Sequence, residues 1–301
     1  MNKWLKFSLL GILAIIWGSS FFMMKEGLKS FSPLQVATYR IFSAGAILLP
    51  FVVHQLRKLA KEDLKYAIIS GFLGNAIPAL LFAFAQTKVP SGVSGSLNSM
   101  TPFFTMIFSV LVFKISVSNR QKAGVLIGLA GAWSLIYASS QGVDAPESNY
   151  LYALPIMLAT LLYGLNVNLI KSKLSKYPPL VVTTIPLGGV SIFAAVLLFF
   201  TGIPSFAEIQ ETQMMRSTIA VLVLGIIGTA FALLLFNRLL QVSSPVFASS
   251  VTYLIPLVAL LVGFWDGEPI KTGHIIGLVL ILFGISLVKK RRARPDSLIS
   301  R

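Results

Sequence analysis

The sequence predicts an all-α membrane protein: ten transmembrane helices arranged as two inverted five-helix repeats, with both termini cytoplasmic. Three observations carry that expectation. Hydrophobic residues fill 55% of the 301 positions against 12% charged, and the mean hydropathy is +0.83, far more apolar than a water-soluble domain of this length. The apolar positions gather into runs of bilayer-crossing length. The chain also repeats itself. Trp17-Gly18, Lys25 and Pro33 recur 146 residues later as Tyr163-Gly164, Lys171 and Pro179, while Gly71, Gly74, Ala76, Phe82 and Pro102 recur 154 residues later as Gly225, Gly228, Ala230, Phe236 and Pro256.

The apolar runs fall at 7–24, 33–53, 66–87, 90–113, 123–138, 150–170, 179–202, 217–237, 244–265 and 272–288. Five precede the midpoint and five follow it. An odd number of crossings returns the chain on the far side, so the second copy enters with the opposite orientation. The expected units are a first repeat over 1–142, a second over 143–289 and a cytoplasmic basic tail over 290–301. The first run starts, like a secretory leader, after Lys3 and Lys6. It ends on bulky Phe21-Phe22-Met23-Met24 in place of a small-x-small cleavage site, so it is expected to stay as a span.

The net charge of +15 is explained by topology. With a cytoplasmic N-terminus, 19 of the 25 Lys and Arg fall on the inner side, five fall outside, and Arg40 alone stands inside a span. Glu26, Asp144, Glu147, Glu208, Glu211, Asp266 and Glu268 fall on the outer side. Nucleic acid is not an expected partner, because the basic residues are distributed between apolar runs and form no single face with aromatics. The run Lys289-Lys290-Arg291-Arg292-Ala293-Arg294, directly after an apolar segment, reads as an orientation anchor that touches anionic lipid. There is no cysteine, which excludes disulfides and thiolate metal sites, and no cofactor or metal motif is present.

Polar groups within hydrocarbon turn toward neighbouring helices or a wet cavity, so their spacing maps the interior. In the first run Trp17 and Ser20 share a face, as do their counterparts Tyr163 and Asn166 in the sixth. In the second run Arg40, next to Tyr39, stands about 10 Å along the helix from Pro33. It reads either as a partner for a solute carboxylate or as a structural cation paired with Glu26 or with helix carbonyls. The third run places Asn75, Pro78, Phe82 and Gln86 on one stripe, and Thr229 with Phe236 repeats part of it in the eighth. Ser91, Gly95, Asn98 and Pro102 in the fourth run are answered by Pro245, Ser249, Thr252 and Pro256 in the ninth. Two readings stand for these stripes, helix packing through small residues and contact with a solute. Pro102 and Pro256 remove backbone donors, which either frees carbonyls for water or solute or simply kinks the helix. Tyr253 joins Trp17 and Tyr163 as an aromatic able to stack on a solute or to pack the interior. The expected substrate-binding set is therefore Trp17, Ser20, Tyr39, Arg40, Asn75, Asn98, Tyr163, Asn166 and Tyr253. Gly124, Gly128 and Gly131 in the fifth run, with Gly277 and Gly284 in the tenth, are expected at close helix contacts.

The marks Trp17-Gly18-Ser19-Ser20-Phe21, Pro33 with Tyr39-Arg40, Pro102, and Gly267-Glu268-Pro269 followed by Gly277 and Gly284 resemble the drug/metabolite transporter superfamily, in its EamA branch of ten-helix permeases. The resemblance covers nearly the whole chain. One departure is Phe113-Lys114-Ile115-Ser116, which stands where family members carry a Gly-Glu-Arg-like turn. What the resemblance implies is a bacterial inner-membrane exporter of small metabolites such as amino acids, with a small-molecule solute and membrane lipid as partners; it implies nothing about an oligomeric partner.

No Asp or Glu lies deep in a run, so no proton relay is evident and downhill facilitation, exchange or coupling through an edge residue such as Glu26 or Glu268 is expected. Import or antiport of another small solute is the alternative within transport. From another class, Gly92-Val93-Ser94-Gly95 matches an intramembrane serine protease pattern. That reading needs a histidine base beside Ser94, and the two histidines, His54 and His274, stand at run edges. A purely structural membrane protein would not need two matching polar stripes.

Overall fold

The computed structural model describes residues 3–140, 150–202, 206–258 and 272–288. The described residues are helical throughout, without strands. In chain order the helical runs are α1 Lys3–Gly27, α2 Pro33–Leu56, α3 Lys61–Gln86, α4 over 91–111, α5 Asn119–Ser140, α6 Ala153–Leu174, α7 Pro179–Thr201, α8 Thr212–Gln241, α9 Pro245–Val258 and α10 Thr272–Val288, with a single turn at Phe206–Ile209. Six of these, α1, α2, α3, α6, α7 and α8, are long and apolar enough to cross a membrane; α9 and α10 are shorter apolar helices. Glu268, the Gly267-Glu268-Pro269 turn, the basic tail and residues 259–265 of the expected ninth run lie outside the described residues.

Large apolar side chains face outward all round the bundle: Phe199 is 82% exposed, Phe200 77% and Ile192 67%. In water such a surface would associate; hydrocarbon is its natural solvent. The interior, by contrast, is rich in small and polar groups. Asn168 on α6 is fully buried and knits α6 to α4, accepting from Ser109 Oγ at 2.6 Å and donating to the carbonyls of Thr105 and Gly164 at 2.9 Å each.

Five of the helical runs are not uniform; the π turn at Ile170–Leu174 of α6 has no counterpart in α1, whereas the other four irregularities pair at the repeat offset. A π turn occupies Phe72–Ala76 in α3 and Ile226–Phe231 in α8. In α3 it precedes Pro78, whose missing N–H cannot close the turn on Gly74. In α8 the Thr229 hydroxyl instead takes the Leu224 carbonyl at 3.0 Å, five residues back. A 3₁₀ turn at Asn98–Met100 in α4 is matched by Ser250–Leu254 in α9, each ahead of a proline. Pro102 cannot donate to Asn98, whose carbonyl accepts from the Thr101 N–H and, at 2.8 Å, from the Thr101 hydroxyl. Pro256 cannot donate to Thr252, whose carbonyl accepts from the Ile255 N–H and, at 3.1 Å, from Ser99 Oγ of α4. The carbonyls that these prolines release are thus engaged by the protein itself and are not left for a solute.

Contacts between helices recur in mirrored pairs. A Cβ on Gly71 of α3 would stand 2.6 Å from the Pro186 carbonyl of α7, and one on Gly225 of α8 would stand 2.6 Å from the Arg40 carbonyl of α2. Gly18 of α1 meets Val258 of α9, while Gly164 of α6 meets Phe104 and Thr105 of α4. Helices α5 and α10 run antiparallel with backbones touching at Gly124 against Gly284 and Gly131 against Gly277, where the added Cβ would come within 2.6 and 2.8 Å of carbonyl oxygens. Gly128 receives the ring of Tyr253.

Candidate functional site

A cavity of about 100 Å³ lies where α1, α3, α4, α6, α8 and α9 converge, with Arg40 reaching it from α2. Seven of the nine expected residues line it: Trp17, Ser20, Arg40, Asn75, Asn98, Tyr163 and Asn166. Its wall is built from equivalents. Trp17 faces it with Tyr163, Ser20 with Asn166 and Phe21 with Val167 at the offset of 146; Gly74 with Gly228, Asn75 with Thr229, Phe82 with Phe236 and Asn98 with Thr252 follow at 154. These seven pairs supply 14 of the 20 lining residues.

The aromatic walls follow the same rule. Trp17 packs on Phe236 with ring centroids 5.3 Å apart, and Tyr163 stacks on Phe82 at 6.1 Å. The Trp17 indole donates to the Gly228 carbonyl at 3.0 Å, which fixes the ring between α1 and α8. Gly228 approaches Ser20 and Gly74 approaches Asn166 so closely that neither glycine has room for a Cβ.

Arg40 departs from the pairing, because its counterpart is Pro186. Its Nε donates to Thr229 Oγ1 at 2.8 Å, and it forms no ion pair with Glu26. Glu26 pairs with Lys29, three residues on, at 2.5 Å and accepts from Gln213 at 3.1 Å. The expected pairing of Arg40 with Glu26 is therefore corrected: the acid has a nearer cation one turn along its own chain.

Two expected residues lie away from the cavity. Tyr253 is fully buried, its hydroxyl donating to the Val125 carbonyl of α5 at 2.8 Å and its ring against Gly128, so it packs α9 on α5. Tyr39 packs on Phe31 with centroids 5.2 Å apart, and its hydroxyl is buried without a partner. Thr101, Met24, Leu233 and Val251 line the cavity without having been singled out in the sequence. The offset applied to Phe21 could have reached Val167, but no pattern marks Met24 or Leu233. Ser94 is fully buried, and its hydroxyl has no hydrogen-bond partner among the described residues, so no base touches it.

The two ends of the bundle are tied across the halves. At one end the Tyr177 hydroxyl donates to Asp63 Oδ2 at 2.6 Å, Lys176 meets the same oxygen at 2.8 Å, and the Ala60 N–H donates to the Tyr177 hydroxyl at 3.2 Å. Lys6 also crosses to the Val242 carbonyl, while within the second half Gln241 donates to the Tyr177 carbonyl and Lys171 to the Leu240 carbonyl at 2.9 Å. The bond to Asp63 raises the Lys176 ammonium above its ordinary value. At the other end Ser217 Oγ donates to the Glu26 carbonyl at 2.8 Å and meets Ser30 Oγ at 2.9 Å.

The sequence matches the EamA-like transporter family twice, over residues 5–137 and 151–289. The chain belongs to that family. It is a multi-pass membrane transporter of the inner membrane. Among its relatives, an uncharacterized inner membrane transporter, YedA, of Escherichia coli (strain K12) is 29% identical over 290 residues, covering 94% of this chain and 90% of that one. A probable amino-acid metabolite efflux pump of Salmonella typhimurium is 24% identical over 285 residues, covering 91% of each. A probable terminal-alkyne amino-acid exporter of Streptantibioticus cattleyicolor is 21% identical over 283 residues, covering 93% of this chain and 92% of that one. A crystal structure with a TM-score of 0.71 and 16% identity, covering 95% of this chain and 96% of the other, shares the fold.

Proposed function

We propose that this transporter exports small metabolites such as amino acids, by alternating access at the central cavity between two inverted five-helix repeats. The repeats span 1–142 and 143–289, ten spans in all, with both termini and the basic tail from 290 on the cytoplasmic side. The observation that carries the reading is the composition of the cavity wall, seven pairs of equivalent residues, one of each pair from each half. A site built this way lies near the pseudo-symmetry axis of an inverted repeat, where rocking of one half against the other exposes it to each face in turn. The mirrored helix contacts and the double family match support the same arrangement. The two curated relatives named for amino-acid export support the solute class and direction.

In this reading Ser20, Asn75, Asn98 and Asn166 offer hydrogen bonds to the solute while Trp17, Tyr163, Phe82 and Phe236 enclose its apolar part. No bond is made or broken in the solute. Antiport of a phosphate ester is the weaker alternative, because Arg40 is the one cation among the described lining residues and phosphate sites gather several.

The test is metabolite release from cells expressing the full chain, profiled beside an Asn98→Trp variant that fills the cavity. Export of a defined solute by the wild type, lost in the variant at equal membrane abundance, is expected. Unchanged release through a filled cavity would refute it.

A further inference from the structure

We infer that the terminal nitrogens of Arg40 form a carboxylate subsite, so the cavity selects solutes bearing a carboxylate and rejects those carrying only a positive charge. This rests on the reading of the cavity as the solute site. The guanidinium has five N–H donors, and its Nε is taken by Thr229 Oγ1 at 2.8 Å. Thr229 spends its own proton on the Leu224 carbonyl at 3.0 Å, so it is held as an acceptor and pins the guanidinium by one edge. The paired terminal nitrogens make no hydrogen bond to a described residue, and Arg40 lines the cavity.

A guanidinium within a bilayer is costly, and a single neutral hydroxyl is too weak a partner to offset it. Such a cation is held where water or an anion meets it. No Asp or Glu stands among the described lining residues, so the cavity carries a net positive charge. The free edge presents two parallel N–H groups, the geometry that grips a carboxylate bidentately.

A second polar group stands beside the same space. Asn166 is 8% exposed and its Oδ1 is buried without a hydrogen-bond partner, although it lines the cavity. An unpaired buried acceptor is unfavourable, and a turn of the Asn166 amide would bring it to a donor held in the cavity. Tyr163 lines the same wall. The cavity thus offers a cationic fork for the carboxylate and a neutral acceptor for an N–H or O–H elsewhere on the solute. It offers no acid to hold a cation.

The experiment measures binding to the purified full chain by thermal stabilisation. Acetate, propionate and butyrate are compared with ethylamine, propylamine and butylamine at fixed ionic strength, and with the matching primary amides. Carboxylates are expected to stabilise the wild type at least about tenfold more effectively, by midpoint concentration, than amines or amides of equal length. Arg40→Lys keeps the charge and loses the fork, and should weaken carboxylates about tenfold while amines stay inert. Arg40→Gln should abolish the preference. If Arg40→Gln does not fold, the wild-type ranking and Arg40→Lys decide. Equal response to amines and carboxylates in the wild type, or carboxylate midpoints unmoved in Arg40→Lys, would overturn the subsite. Because the readout is binding, a failed ranking beside intact cellular release removes the subsite alone, whereas lost release beside an intact ranking removes the transport reading.

Discussion

The two ends of the bundle are made from equivalent positions and closed by different chemistry. Asp63 and Ser217 stand 154 residues apart; Lys176 and Tyr177 stand 146 residues beyond Ser30 and Phe31. At the Asp63 end a carboxylate joins an ammonium and a phenol, and at the Ser217 end two hydroxyls meet each other and a backbone carbonyl. The ends lie about 30 Å apart, since Lys6 at one and Glu26 at the other are separated by 20 residues of α1. Equivalent positions thus make an ionic contact at one end and a neutral one at the other. In the proposed topology, which puts both termini on the cytoplasmic side, the ionic latch ties the inner end. Charge-assisted hydrogen bonds are roughly twice as strong as neutral ones, so the inner end should be the harder to open.

Several substitutions break or sharpen that contrast, read as the reactivity of a cysteine placed at Asn98 toward an impermeant maleimide; the natural chain has no cysteine to interfere. The largest effect is expected from Asp63→Ala, which removes the acceptor of both Tyr177 and Lys176 and should raise labelling from the inner side about tenfold. Tyr177→Phe copies the outer end's Phe31 into the inner end, leaves Lys176 on Asp63, and should raise inner labelling about fivefold. Ser217→Ala removes three neutral bonds, to the Glu26 carbonyl, Ser30 and Gln213, and should raise outer labelling about threefold. Lys176→Ser completes the copy of the outer pair, but the lysine side chain is 59% exposed, so the change should be about twofold. If Ser217→Ala exceeded Asp63→Ala, the contrast between the ends would be the reverse of the one drawn here.

Much of this was legible in the residues. The ten apolar runs correspond to the ten described helical runs, the ninth as far as Val258, with ends displaced by a few residues: 66–87 becomes Lys61–Gln86, and 217–237 becomes Thr212–Gln241. The repeat offsets reached the cavity directly, through Trp17 with Tyr163 and Ser20 with Asn166. Where neighbours decide, the sequence was silent. Tyr253 turns toward Gly128 because that glycine leaves room for a ring, a fact held on another helix. Asn168 escaped notice because its counterpart is Phe22, 61% exposed on the lipid face, so no polar pair marks it. The π turn of α8 depends on a threonine hydroxyl in place of a proline, and helical periodicity does not signal it. Lys114 adopts a left-handed φ of 52°, a conformation the side chain disfavours and the sequence alone does not announce.

The most direct test of the central claim, a cavity shared by two opposed halves and opened to each face alternately, is the sidedness of labelling at the Asn98 cysteine in sealed vesicles. The account predicts modification from both faces, shifted inward by Asp63→Ala and outward by Ser217→Ala. Reaction from a single face, unmoved by either substitution, would contradict it.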